Sequence, residues 1–555
     1  AQEAAQATGE TDTVSVILAG PSPRGAWLEP NSEPEQVASA LDSLAERGPT
    51  GGSMNLPAAL ELAASTLANA PNAGKRIVVV SDGQRHGWRA ESVGPWQVVG
   101  EAVQSLPTGA RLVHRGVQPP QEYVNLSVLD LQLPERALLP GWPVEAHVTV
   151  QNTGTAAAST RSLELTAPGM APITREVGAL LPGDSRTLRF ELTFEQPGRH
   201  VVRARLVGGE DALPADDSAS RVAYLVESLR VLVVDGHPSR RMLESASDYI
   251  VAGLAPRPAT GGVQPVVARV DNLPAPEEWD NYEAVVLANV SRLPEEAAQA
   301  LAVAVQRGTG LLIAPGEQCD PVFYNTLATP DGAVLSPAEL VEFVRRPEDP
   351  ARPALDNVGH PALRRRAEHE PSDVSTARLE SWWKVDPRLV PAGGTTAAAE
   401  LSTGAPLVAA WSRGRGRVII LATSLHHRTG NLVTRRAFVP MLHEMIYHLS
   451  AGSFQQTNVE PGAPATLRVQ LPEGASVPRS VQVLTPSGDV RQAGARPSPD
   501  GLLIHFAETA EPGLYQVTLS DLPADLPLAV VADPEEMARA GLTDADLERV
   551  RRHVD

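Results

Sequence analysis

The stretch Lys75–Trp88, KRIVVVSDGQRHGW, decides how the first part of this chain is read. An apolar β-branched run ends in an acidic turn. The carboxylate of Asp82 therefore stands at the carboxyl end of a buried strand, where open α/β sheets hold their ligands. Upstream, Gly51-Gly52-Ser53-Met54-Asn55 opens a helix whose apolar positions Leu56, Leu60, Ala63 and Leu67 recur at helical spacing. Thr13–Ala19 reads as another buried strand and Arg111–Val113 as the last of the unit. Between them Ser32-x-x-Glu35 is a capping box leading into Val37, Leu41 and Leu44, and Gly48-Pro49 stops that helix. Strand and helix alternate, which marks residues 1–120 as an α/β unit.

Beyond this unit the hydrophobic period falls to two. Val144–Val150, Leu163–Leu165, Leu188–Phe190 and Val201–Leu206 alternate apolar and polar, separated by turns such as Asn152-Thr153-Gly154 and Pro182-Gly183-Asp184. Short strands at this spacing predict an antiparallel sandwich of immunoglobulin type over residues 121–227. Apolar runs return at Leu229–Asp235, Ala284–Ala288, Leu311–Ala314 and Val418–Ala422. Helices are expected at 294–306, with Pro294 at its start and Gly308 past its end, and at Phe438–Leu449. Residues 228–455 are therefore a second α/β domain. Short alternating strands resume from about Val459 to Val531 and end in an acidic tail of helical character, so residues 456–555 are read as a small β-sandwich. The fold class expected is a multidomain chain in which two α/β, Rossmann-like domains alternate with two β-sandwiches.

Composition narrows the function. Hydrophobic residues make up 42% and charged residues 20% of 555, the balance of a folded multidomain protein. A net charge of −19 argues against nucleic acid, because counterion release needs a basic face. No apolar run reaches the length of a membrane span, and no signal peptide is evident. The single cysteine, Cys319, excludes an internal disulfide and any cysteine-based zinc site.

Two motifs fail on spacing alone. His443 and His448 are five positions apart on a helix, so their rings diverge where a zinc-protease pair must converge. Asp235-Gly236-His237-Pro238 ends a strand without the glycine pattern or lysine of a phosphate loop; Asp235 is read as capping a turn.

The hydroxyl of Ser53 in a Gly-rich turn and Asp82 at a strand end resemble two of the three metal-site loops of von Willebrand factor A domains. Ser53 stands where that family usually has Thr. The first loop, an Asp-x-Ser-x-Ser, is not in this sequence, and the unit reads as a fragment without its central strand. The expectation is a distorted or incomplete sheet. No cofactor is expected for this stretch; the resemblance implies Mg²⁺ at the complete site of the intact protein, with Ser53 and Asp82 as part of its oxygen ligands. The run Val148–Gly154 with the Leu180–Gly183 turn resembles bacterial cell-adhesion-related (CARDB) modules.

Strand Leu311–Ala314 running into Pro315-Gly316-Glu317-Gln318-Cys319 resembles the nucleophile elbow of class I glutamine amidotransferase-like domains. Here Glu317 takes the tip and Cys319 lies beyond it. His426 and His427 fall in the neighbourhood of that family's histidine, but the acidic residue that normally follows is absent. Glu317, Cys319, His426 and His427 are thus degenerate positions, and no catalytic residue is assigned.

Taken in order, the parts resemble the outer region of bacterial BatA-type membrane proteins. The words that carry this are Ser81–Trp88, Asp235–Pro238, Ala314–Glu317 with Phe323–Asn325, Phe438–Glu444 and the tail Val531–Glu536. The resemblance implies a non-catalytic, periplasmic or extracytoplasmic scaffold with a protein partner, held at the membrane by segments outside this chain. The competing expectation is a hydrolase or amidotransferase acting through the cleft of residues 228–455.

Overall fold

The computed structural model describes residues 13–554 apart from 32–33, 48–51, 71, 107, 118–119, 210, 256–261, 355–359, 364–372, 389–395, 454–456, 470–476, 499–500, 520–525 and 539. The capping serine expected at position 32 and the stop at 48–49 lie outside the described residues. The chain is mixed α/β with many separate sheets.

The third segment holds the largest core. Its sheet runs Gly262–Arg269, Ser228–Asp235, Ala284–Ala288, Gly310–Ala314, Gly416–Leu421, Pro406–Arg413, Thr396–Leu401 and Pro353–Ala354. The first five strands are parallel and the last three antiparallel. Ala284–Ala288 and Gly310–Ala314 are buried at every position. That is why these strands read as continuous apolar runs, since a parallel strand is covered on both faces. The five parallel strands stand in the chain order 2-1-3-4-5, so the order reverses between Ser228–Asp235 and Ala284–Ala288. Ligands of open α/β sheets sit at the carboxyl ends beside such a reversal.

Residues 126–225 form a three-stranded and a four-stranded sheet whose inward side chains share one core, and their alternation is period two as expected. The last segment departs from expectation. Its seven strands form one hydrogen-bonded sheet around a single core, where two sheets were anticipated. Asn458–Val459 pairs in parallel with Leu526–Val530 and forms one edge of that sheet.

The first segment also differs in detail. Val14–Leu18 is half-buried and pairs antiparallel with Arg24–Asn31, so it is a hairpin arm and not a buried parallel strand. Among the described residues Arg76–Ser81 pairs only with Arg111–Gly116, in parallel, and its burial alternates. Ile77 and Val79 face the core, while Val78 and Val80 are exposed on the other face. Among the described residues this segment has two separate pairs of strands. Its core is completed from the far end of the chain: Val550 is buried in it, with Leu542, Leu547 and Val554 packed alongside. The acidic tail, read from sequence as an appendage of the last domain, lies on the first.

Candidate functional site

The carboxyl ends of the parallel strands are the first place to look for chemistry. Asp235 ends its strand buried, its Oδ1 accepting from the His237 amide at 2.9 Å and its Oδ2 from the Ser247 hydroxyl at 2.5 Å. It caps the turn, as read from sequence, and in addition ties that turn to the following helix. Asn289, which ends the next strand, adopts the left-handed region at φ 49°. Asparagine tolerates that conformation better than most residues. Gly236 and Gly316 both lie against Asn289, and a Cβ on Gly236 would overlap its carbonyl oxygen, so no larger residue fits there.

Cys319 lies one turn beyond Glu317, which faces solvent. The thiol is buried and donates to the Val290 carbonyl oxygen at 3.1 Å, an oxygen that also accepts the Tyr324 hydroxyl at 2.6 Å. Burial pushes the thiol up to about 12, away from the thiolate that a nucleophile requires. The two histidines are engaged elsewhere. His426 Nδ1 accepts from the Arg428 amide at 3.0 Å, and burial lowers its pKa. His427 Nδ1 lies 2.9 Å from the Tyr249 hydroxyl. Arg428 pairs with Glu244 across the same surface. The fold thus gathers Tyr249, His426, His427, Arg428 and Glu244 into one polar cluster, while Cys319 is bonded into the core. Tyr249 and Glu244 escaped the sequence reading because they sit in a loop and helix distant in the chain.

His443 and His448 diverge as their spacing requires. His443 Nε2 lies 3.0 Å from the Gly253 carbonyl oxygen, and its Nδ1 3.0 Å from the Tyr447 hydroxyl. His448 Nδ1 instead faces Arg417 Nη1 at 3.0 Å.

At the first domain, Ser53 and Asp82 do not converge. The Ser53 hydroxyl donates to the carboxylate of Glu536, from the C-terminal tail. Asp82 turns back on its own loop, Oδ1 accepting from the Gln84 amide at 3.2 Å and Oδ2 from its side-chain amide at 2.8 Å. Among the described residues no three acidic, histidine or cysteine side chains are grouped to hold a metal ion. A hard cation such as Mg²⁺ needs several oxygens around one point. With both carboxylate oxygens of Asp82 and the Ser53 hydroxyl already engaged, the residues present do not fit it.

Residues 1–84 match the von Willebrand factor type A domain and residues 124–211 match CARDB. No protein of curated function matches the chain. Among solved structures, a cytoplasmic protein of Salmonella typhimurium LT2 is similar at 15% identity, over 40% of this chain and 99% of its own, with a TM-score of 0.31. A CARDB domain from Pyrococcus furiosus, solved in complex with di-metal ions, is similar at 18% identity over 19% of this chain and 97% of its own, with a TM-score of 0.17. Modules of the A and CARDB types are typical of extracellular or protein-interaction roles. Among the described residues, no helix is long and apolar enough to cross a membrane.

Proposed function

We propose that this chain is a non-catalytic, partner-binding scaffold of the BatA type, working at the extracytoplasmic face of a bacterial membrane. In this reading residues 228–455 form an amidotransferase-like domain used as a surface. The observation that carries the proposal is the burial of Cys319. A thiol nucleophile needs a depressed pKa, a base within hydrogen-bond reach and donors for the developing oxyanion. Cys319 has a raised pKa and donates to a backbone carbonyl, and the histidines expected as its base, His426 and His427, hydrogen-bond to Arg428 and Tyr249. The two interaction-type modules agree with this reading.

The test is alkylation of the native chain by iodoacetamide across pH 6 to 9. Cys319 should stay unmodified throughout and react only after denaturation. Rapid modification at neutral pH, abolished by His426→Ala or His427→Ala, would establish an activated thiol and restore the hydrolase reading.

A further inference from the structure

After strand Leu526–Val530 the chain leaves the last sheet and returns to the first domain. An acidic turn comes first. Glu536 accepts the Ser53 hydroxyl, and the His86 ring lies between Asp533, 3.4 Å from Nε2, and Glu535, 3.6 Å from Nδ1. Main-chain pairing follows: the Arg85 amide donates to the Ala540 carbonyl at 2.7 Å, and the Leu542 amide to the Gly83 carbonyl at 2.8 Å. Arg85 Nε then reaches Asp546 Oδ2 at 3.1 Å. Finally helix Asp544–Val554 packs on helix Val93–Gln104, so closely that a Cβ on Gly100 would overlap the carbonyl oxygen of His553.

This is how one protein reads a peptide segment: carboxylates met by a hydroxyl, an imidazole and a guanidinium, a short strand addition, then a helix laid on a helical face. The Arg85 guanidinium lies between Glu91 of the same domain and Asp546 of the segment. The segment's hold is modest. Glu535 and Asp533 are 86% and 40% exposed, and ion pairs of that kind contribute little each. The helix buries one apolar side chain fully, Val550. The exposed turn is the part that a competing segment meets first, and the tether keeps the rest close by.

We propose that the loop end of the first domain, with helix Val93–Gln104, is a metal-free receptor for acidic segments that continue into an amphipathic helix. The chain's own residues 533–554 occupy it, and a partner protein's acidic segment engages by displacing them. This builds on the partner-binding reading above, but its test uses only the chain and its own peptide, so it can fail while the Cys319 result stands.

A fluorescent peptide of residues 533–554 is titrated into three full-length chains. One is unaltered, one carries Glu536→Gln with Asp546→Asn, and the third adds Arg85→Ala to that pair. The doubly altered chain should bind the peptide at least tenfold more tightly than the unaltered one, Arg85→Ala should reverse the gain, and EDTA should change nothing. Hydrogen exchange should show residues 547–554 losing protection in the doubly altered chain while Ile77–Val80 keep theirs. Equal binding by the first two chains overturns the proposal. So does loss of protection at Ile77–Val80 together with the helix, which would make the segment a fixed part of the fold. Abolition of binding by EDTA would show a metal reading the carboxylates and overturn it as well.

Discussion

His448 shows how one side chain can couple acid stability to the junction between two domains. Arg417 is always a donor, so the His448 Nδ1 it faces at 3.0 Å must be the acceptor and the ring must be neutral. Burial first, then Arg417 and His360, lower its pKa to about 3. The folded value lies below the unfolded one, so the unfolded chain binds the extra proton. The stability this neutral ring supports is complete above about pH 6.5 and is lost as pH falls toward 3. The same Arg417 Nη1 donates to the Glu135 carbonyl oxygen at 3.0 Å, from the second domain. His448→Gln, which stays neutral and keeps an acceptor, should therefore flatten the acid limb of a urea-stability profile between pH 6 and 3, by up to about 1.4 kcal/mol per pH unit. An unchanged slope would show that the ring is protonated without cost.

At the scale of the element, Arg76–Ser81 is the most instructive strand. Its run of valines reads as buried on both faces, yet only alternate positions are covered, because among the described residues the helices pack against the Ile77 and Val79 face. Val79 is 8% exposed and Val80 is 46% exposed. Val79→Ala should destabilise the first domain by about 1–3 kcal/mol, a lost transfer term plus a cavity. Val80→Ala should stay within about 0.5 kcal/mol. Denaturant midpoints of the two variants decide it, and equal losses would mean that both faces are covered. The contrast with Ala284–Ala288 and Gly310–Ala314 is one of context: the same residue types there sit inside an eight-stranded sheet.

At the scale of the whole molecule, specific contacts hold the domains in register. Ala137 and Leu139, from the second segment, are buried in the third segment's core, and the Ala137 amide donates to the Tyr447 carbonyl oxygen at 3.0 Å. Arg136 pairs with Glu444 at 3.2 Å and lies over the Tyr447 ring at 5.4 Å. Asn458 binds both main-chain groups of Val222, accepting at 2.8 Å and donating at 2.9 Å, and so ties the last sheet to the second segment. Removing one partner of a largely buried ion pair leaves the other uncompensated. Glu444→Gln should thus cost about 1–3 kcal/mol at this junction and separate one calorimetric transition into two. A single unshifted transition would show the pair to be dispensable.

Much of the architecture was determined by the sequence alone. Local periodicity records how many faces of an element are buried, so the buried parallel strands at 229–235, 284–288 and 311–314, the alternating strands of 126–225 and the helix bounded by Pro294 and Gly308 were all legible. The divergence of His443 from His448 followed from helical spacing in the same way. Tertiary structure decided the rest. Whether a valine run is covered on one face or two depends on which elements pack there, and one edge of the last sheet depends on a parallel pairing of distant strands. The direction of the Cys319 thiol depends on a carbonyl 29 positions away. Most of all, Ser53 meets Glu536 across 483 positions. Pairing over such a distance leaves no period in either segment, so the tail reads locally as a polar helix and becomes part of the first domain only when the chain folds back on itself.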